Sequence, residues 1–459
     1  MIHRYQKKGL NFVLDVNSGA VHLLDDISYA VSGLLDENMG DTCPQSIVDA
    51  LPDYTADEIR EAYDELYELK KAGQLFAQDD YIDVSRYIPV NAPVKALCLH
   101  VAHDCNLRCK YCFASTGDFG QGRKIMPPEI AKKAIDFVIA RSGVRHNIEV
   151  DFFGGEPLMA WDTVTQTVDY ARSLEEKYNK KFRFTITTNG LLLDEDKRKY
   201  INENMDNCVL SLDGRREVND EFRKTVAGTG SYDTIEPKFK ALVDERDPNL
   251  DYYARGTFTS HNLDFAEDVL SIADAGFDRL SVEPVTADPG CGYDLTEDDL
   301  PKIEAEYDRL TDIMLERKKE GKPFTFFHFM VDLDQGPCVV KRLRGCGAGY
   351  EYVAVTPDGD IYPCHQFVGK DEFKQGSVLD QSFNMDIAQT FAGMNIYSRP
   401  KCQKCWAKFY CSGGCSAANY NMNHDMNDSY DLGCEMERKR LECAIYLKAM
   451  DKICANQSK

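Results

Sequence analysis

Three cysteines fall within eight residues, in Cys105-Asn106-Leu107-Arg108-Cys109-Lys110-Tyr111-Cys112. This C-x3-C-x2-C spacing puts three thiolates on one short loop, and nothing nearby offers a fourth. Three thiolates can hold three irons of a cubane iron–sulfur cluster. The remaining iron is then free to bind a substrate or cofactor directly. The other chemistry open to clustered thiolates is a structural zinc site, but such sites are usually closed by four ligands. The spacing favours a cluster.

Such a loop needs a frame. Residues 94–101, just before it, read as a buried strand, and apolar or β-branched runs recur at 148–153, 182–187, 209–212, 252–259 and 280–282. Helical periodicity fills the intervals at 129–141, 163–178, 195–204, 232–245 and 265–275, with a sixth helix at 297–319. Alternation of this kind predicts an α/β chain with a parallel, partly closed (β/α)6 barrel. Parallel barrels place their chemistry at the C-terminal strand ends. The unusual residues fall there. Gly154-Gly155-Glu156-Pro157 ends the second strand, where glycines admit close backbone approach and Glu156 can accept from an ammonium. Asn189 follows the third strand. Ser211 and Asp213 end the fourth and suit a ribose or a polar tail. Arg255 on the fifth could pair with a carboxylate. Val282 on the sixth could face an adenine.

A second cysteine group follows. Cys346 precedes a hairpin carrying Cys364, then come Cys402-x2-Cys405-x5-Cys411-x3-Cys415 and, later, Cys434. Two fully ligated cubanes need eight thiolates, and these are seven. The eighth ligand is Cys338, or the site is open. An open iron could bind an incoming thiol and fix it as thiolate. A zinc ribbon at Cys402, Cys405 and Cys411 is the alternative. Cys98 and Cys208 sit in predicted buried strands and read as packing residues. Cys291 lies in a Pro-Gly-Cys-Gly loop past the sixth strand, near the predicted mouth. Residues 435–455 read as a helix covering the cluster domain.

The Cys105–Cys112 motif, with aromatic Tyr111 before its last cysteine, resembles that of the radical S-adenosylmethionine (SAM) enzymes, and the later cysteines resemble their SPASM extension. The resemblance implies three [4Fe-4S] clusters. One, on Cys105, Cys109 and Cys112, would chelate and cleave SAM. Cys402, Cys405, Cys411 and Cys434 would close a distal auxiliary cluster. Cys346, Cys364 and Cys415 would hold a proximal one. Gly154–Glu156 would hold the methionine amino group, and Ser211 and Arg255 would touch the ribose or carboxylate.

Composition bounds the partners. The chain has 459 residues, 43% hydrophobic and 28% charged, with a formal charge of −22 and 17 cysteines. That charge argues against nucleic acid or an anionic membrane as partner. No run approaches a membrane span, and the start lacks an apolar signal core, so a cytoplasmic location is expected. Clustered cysteines in a reducing compartment read as ligands rather than disulfides.

In residues 1–80, a hairpin at 11–24 turns at Asn17-Ser18-Gly19, with helices expected at 26–36 and 55–71. Such winged-helix-like modules often bind DNA, but six Lys and Arg against sixteen Asp and Glu give this one a net charge of −10. The module resembles the precursor-peptide recognition element of enzymes that modify ribosomally made peptides, where a leader adds as a strand. The expected organisation is 1–80 recognition domain, 81–93 linker, 94–321 radical SAM barrel and 322–459 SPASM domain. The whole is most similar to thioether-forming maturases of the "six cysteines in forty-five" peptides. It implies a Cys-rich precursor peptide with a basic leader, and a low-potential electron donor of flavodoxin or ferredoxin type. The rivals are a formylglycine-forming sulfatase maturase and, in another class, a non-catalytic multi-cluster electron carrier or zinc-bound peptide scaffold.

Overall fold

The chain opens with an antiparallel sheet of β1 (Ile2–Lys7), β2 (Leu10–Asp15) and β3 (Val21–Leu24), in that order. β2 and β3 form the predicted hairpin, with Gly19 at φ 75° in its turn. β1 is a finding beyond the sequence reading, because its polar His3, Arg4 and Gln6 blur the alternation. Helices α1 (Asp26–Ser32), α2 (Gln45–Ala50) and α3 (Ala56–Lys71) complete the module. A capping box starts α3, which the sequence places at 55–71: Thr55 accepts from the Glu58 amide, and the Glu58 carboxylate accepts from the Thr55 amide at 2.9 Å. Ile59, Tyr63 and Leu66 on its buried face pack against Val13 and Val31. The computed structural model describes residues 1–86, 92–333 and 339–457.

A short helix, α4 (Tyr81–Arg86), leads toward β4 (Ala96–His103), on which β5 (Lys124–Ile125) pairs antiparallel. Then α5 (Pro128–Arg141), β6 (Asn147–Gly154), α6 (Trp161–Tyr178), β7 (Lys181–Thr188), α7 (Glu195–Asn204) and β8 (Asn207–Ser211) alternate. The series continues with α8 (Arg216–Phe222), α9 (Tyr232–Asp244), β9 (Asp251–Phe258), α10 (Phe265–Asp274), β10 (Arg279–Pro284), α11 (Leu300–Lys319) and β11 (Thr325–Phe326). β4, β6, β7, β8, β9, β10 and β11 are neighbours in chain order, and each pair is parallel. Right-handed crossovers without a reversal of order put every helix on one face of the sheet. Alternate residues such as Phe152, Phe184, Leu210 and Ala254 are buried without exposure in the main core. This is the expected partial barrel.

The C-terminal part begins with α12 (Val339–Arg344) and the predicted hairpin of β12 (Tyr352–Val355) and β13 (Asp360–Tyr362). β12 pairs parallel with β4, Val353 opposite Leu97, so the extension starts as added strands of the barrel sheet. β14 (Gly376–Ser377) and β15 (Ser382–Phe383) end that sheet. Helices α13 (Met385–Gly393), α14 (Pro400–Gln403), α15 (Lys408–Cys411) and α16 (Ser416–Asn423) carry or flank the later cysteines, and α17 (Asp431–Gln457) closes the chain.

α17 does more than cover the cysteine-rich part. Its Lys439 donates to Asp308 of α11 at 2.7 Å, and the same carboxylate pairs with buried Lys7 of β1. Glu442 accepts from His3 at 2.9 Å. Tyr5 stacks on fully buried Phe12, which meets Tyr446 edge-on. Phe12 therefore belongs to the main core and pins the first module to α17. Phe12→Ala is expected to destabilise the protein by about 3–5 kcal/mol, read from the urea midpoint; an unchanged midpoint would mean that the module docks by other contacts.

Candidate functional site

β4 delivers the three-cysteine loop to the C-terminal edge of the barrel, and close backbone packing holds it there. Gly155 donates from its amide to Ala102 O at 2.7 Å, and Glu156 to Asp104 O at 2.9 Å. A Cβ on Gly155 would collide with the Asp104 carbonyl, and one on Gly154, at φ 126°, with that of Ala102. Gly117, at φ 102°, comes as close to Cys105. The glycines let the ends of β4 and β6 and the loop lie backbone on backbone. No side chain fits between them.

Glu156 is buried and braces β6 to β7. Its Oε1 accepts from the Leu158 amide at 3.0 Å and Thr188 Oγ1 at 2.7 Å, and its Oε2 from the Asn189 amide at 2.8 Å. Burial raises its pKa to about 7. Three bonds on a carboxylate that can take four leave one acceptor position on Oε2. Pro157 follows in a short 3-10 turn. Asn189 Nδ2 donates to Cys105 Sγ at 3.5 Å and to Asn106 Oδ1 at 2.8 Å, and the Leu107 amide points at the same sulfur at 3.4 Å.

At the fourth strand end the carboxylate is already engaged. Asp213, without exposure, accepts from Tyr111 Oη at 2.6 Å and from the Thr257 amide at 3.0 Å. Arg223 Nε lies 3.0 Å from Asp213 Oδ2, an ion pair without hydrogen-bond alignment. Its guanidinium also sits 5.5 Å from the Tyr111 ring centroid. Asp213 thus anchors the cluster loop through Tyr111 and leaves little for a ribose. Arg223 is the residue the sequence reading missed. It is nine-tenths buried, beside Cys109, and neither Nη group has a hydrogen-bond partner among the described residues.

Ser211 ends β8 half-buried, its hydroxyl likewise unpartnered among the described residues. It lies in register with Arg255, which forms an ion pair with Glu283. Glu283 in turn faces His328 at 3.9 Å, and His328 Nδ1 is 3.4 Å from Arg440 of α17. Arg255 is therefore not a free carboxylate receptor. Val282 has no exposure and belongs to the main core, so its side chain presents no edge to the open face.

The later cysteines fall into two places. Cys402, Cys405, Cys411 and Cys434 line one cavity of about 60 Å³. Among the described residues, no three His, Cys, Asp or Glu side chains converge as the ligands of a single ion do. Four thiols around one space have the number and the softness to hold an iron–sulfur cluster. Cys346, Cys364 and Cys415 lie near one another on the other side, where Cys364 is buried beside Phe367 and Ala417. Cys338 lies outside the described residues. Burial raises the thiols of Cys105, Cys109 and Cys411 to about 12 and that of Cys434 to about 11. Such thiols stay protonated until a bound cation makes thiolates of them.

Aromatic rings fill the interval between the first loop and Cys364. Phe153 is 5.0 Å from His365 and 5.7 Å from His100, and half-exposed Phe113 lies 5.6 Å from His365. Exposed Cys291 bonds only weakly to Asp294, at 3.8 Å, while neighbouring Tyr293 donates to Lys110 O at 3.0 Å.

A radical SAM superfamily description matches residues 99–249, and one of an iron–sulfur cluster-binding SPASM domain matches residues 346–406. The chain is 25% identical over 354 residues to the cysteine-type anaerobic sulfatase-maturating enzyme of Clostridium novyi, covering 72% of this chain and 90% of that protein. The structure of anSMEcpe with bound AdoMet and Kp18Cys peptide aligns with a TM-score of 0.64 and 20% identity, over 78% of this chain and 99% of that one. That of Streptococcus suis SuiB bound to precursor peptide SuiA aligns at 0.51 and 17% identity, over 93% and 97%. Among the described residues, no helix is long and apolar enough to cross a membrane. With its partial barrel, its three-cysteine loop and its cysteine-rich extension, the chain carries a radical SAM domain and a SPASM domain, which indicate iron–sulfur clusters and SAM.

Proposed function

We propose that the protein is a peptide maturase that installs Cys-derived thioether crosslinks in a ribosomally made, Cys-rich precursor peptide. The observation that carries this reading is the N-terminal module. Nearly all of anSMEcpe is matched by 78% of this chain, whereas the likeness to SuiB, solved with a precursor peptide, runs over 93%. The extra length suits an enzyme that must hold a leader, and β3 ends the module's sheet where a strand could add. The acidic module suits a basic leader. Residues 1–80 would be the recognition domain, 81–93 its connection, 94–321 the barrel and 322–459 the auxiliary-cluster domain, in a cytoplasmic protein.

Cys105, Cys109 and Cys112 would hold a cluster with one iron open to SAM. Arg223, with both Nη groups unused beside Cys109, would receive the SAM carboxylate in place of Arg255. The open position on Glu156 and the close backbone at Gly155 would take the ammonium, and Ser211 the ribose. Bound there, SAM and its cluster would supply the radical chemistry needed to take a hydrogen atom from the peptide. Cys402, Cys405, Cys411 and Cys434 would hold the distal cluster. Cys346, Cys364 and Cys415 supply three sulfurs to the proximal one, which leaves room for the peptide's own sulfur. A flavodoxin- or ferredoxin-type donor would provide the electron. The relatives also support a second reading, formation of formylglycine in a sulfatase.

Reconstituted without oxygen and given SAM, a reductant and a Cys-rich peptide with a basic leader, the protein is expected to release deoxyadenosine. The peptide should become lighter by two hydrogens per crosslink, with a thiol lost for each. An aldehyde on a sulfatase peptide instead would establish the second reading. SAM turnover absent under all these conditions would sink both.

Arg223→Lys should weaken SAM binding by about 10- to 100-fold, as loss of a charge-assisted hydrogen bond worth about 1.5–3 kcal/mol implies. Equilibrium dialysis of SAM against the reconstituted protein measures it. An unchanged Kd would return the carboxylate to another residue.

A further inference from the structure

Residues 387–424 contain Arg399, Lys401, Lys404 and Lys408 and no Asp or Glu, in a chain of net charge −22. Lys408 pairs with Asp79 at 2.7 Å, and Lys401 with Asp428 and Asp431 at 2.9 and 2.8 Å. Lys404 is exposed to water. Arg399 differs from all three. It is 3% exposed, and among the described residues no carboxylate lies within ion-pair reach of it. Its Nη1 donates to the Gly413 and Ser412 carbonyls at 2.9 and 3.3 Å, and its Nη2 to Ser416 Oγ at 3.0 Å. Its Nε is buried with no partner.

A guanidinium does not deprotonate in a protein, and burying it beside neutral partners alone is costly. A compensating negative charge is therefore required nearby, and among the described residues the sulfurs of Cys402, Cys411, Cys415 and Cys346 are the groups placed to supply it. The Arg399 carbonyl accepts from the Cys402 amide at 3.0 Å. Its side chain grips the turn between Cys411 and Cys415. Any Cβ at Gly413 would collide with the guanidinium, so this turn is shaped around it. Cys402 and Cys411 belong to the distal set, and Cys415 and nearby Cys346 to the proximal set.

We propose that Arg399 is the buried counter-cation shared by the two auxiliary cluster sites, a positioning residue that fixes how much negative charge both can carry. The inference rests on the reading of those cysteines as cluster ligands. A fixed cation favours the more negative, reduced state of a cluster. Arg399 therefore raises both reduction potentials together, and it ties the two cysteine loops into one unit. Arg438, whose Nη1 lies 3.9 Å from Cys405 Sγ, touches the distal set alone and provides the contrast.

The test is an anaerobic redox titration of the reconstituted full-length protein followed by electron paramagnetic resonance, with iron and sulfide per chain measured alongside. The wild type comes first: if it holds no auxiliary clusters, the reading of the ligands fails before any variant is made. In Arg399→Gln both auxiliary midpoints should fall while that of the Cys105–Cys112 cluster stays. In Arg438→Gln only the distal midpoint should move. Should Arg399→Gln lose auxiliary iron altogether, Arg399→Lys, which keeps the charge, should retain it in a chain of unchanged circular dichroism. Unmoved auxiliary midpoints in Arg399→Gln, or a shift of one alone, would overturn the proposal. So would equal loss of iron from the glutamine and lysine variants.

Discussion

Negative charge gathered on sulfur inside an acidic protein is the constraint on which this structure turns. In each cysteine set burial pushes a thiol above its ordinary pKa, Cys105, Cys364 and Cys411 among them, and a buried or half-buried arginine stands beside each set. Arg223 stands by Cys109, Arg438 by Cys405, and Arg399 between the two later sets. A lysine would keep the charge at these places but not the spread of donors. A planar, weakly hydrated guanidinium tolerates burial and spreads its donors over several acceptors, as Arg399 does with two carbonyls and a hydroxyl.

Much of the fold was legible because its patterns are local. Strands buried on their helix-facing side and helices of period 3.6 announce themselves, and the six βα units lie within a residue or three of their predicted places. The capping box at Thr55 and Glu58 needed four residues to read. What escaped is pairing at a distance. The union of β12 with β4 joins residues far apart in the chain, and nothing in either strand names its partner. β1 escaped for a different reason: its polar side chains bond to the protein rather than to water, His3 to Glu442 of α17, Lys7 to Asp308 of α11, Arg4 to Ser32 and Gln6 to Asn11, so the usual sign of a half-buried strand is absent.

The site divides the same way. Thiol spacing is written in the chain, and the strand-end position of Glu156, Asn189 and Ser211 follows from the barrel. The state of a charged group does not follow. Asp213 reads as a free carboxylate until Tyr111 and Arg223 are seen upon it, and Arg255 as a free cation until Glu283 is. Arg223 and Arg399 carry no motif at all. Their signal is a missing partner, which only the packed structure can reveal.

The docking of the first module follows from hydrophobic burial rather than charge. Val16 packs with Leu343, Ile396, Phe409 and Cys402, so a proposed cluster ligand sits inside the seam between module and extension. His3 stacks at 3.7 Å on Trp406, the residue after Cys405. β1 turns His3, Tyr5 and Lys7 to α17, and α17 begins with the turn that bears Cys434. One face of β1, that of His3, Tyr5 and Lys7, is thereby committed to the protein itself. β1 and β3 are the two edges of this sheet, and the direction of a strand added to β3 relative to the barrel would be set by contacts already made. The same burial that shields the distal cysteines thus orients whatever the module holds.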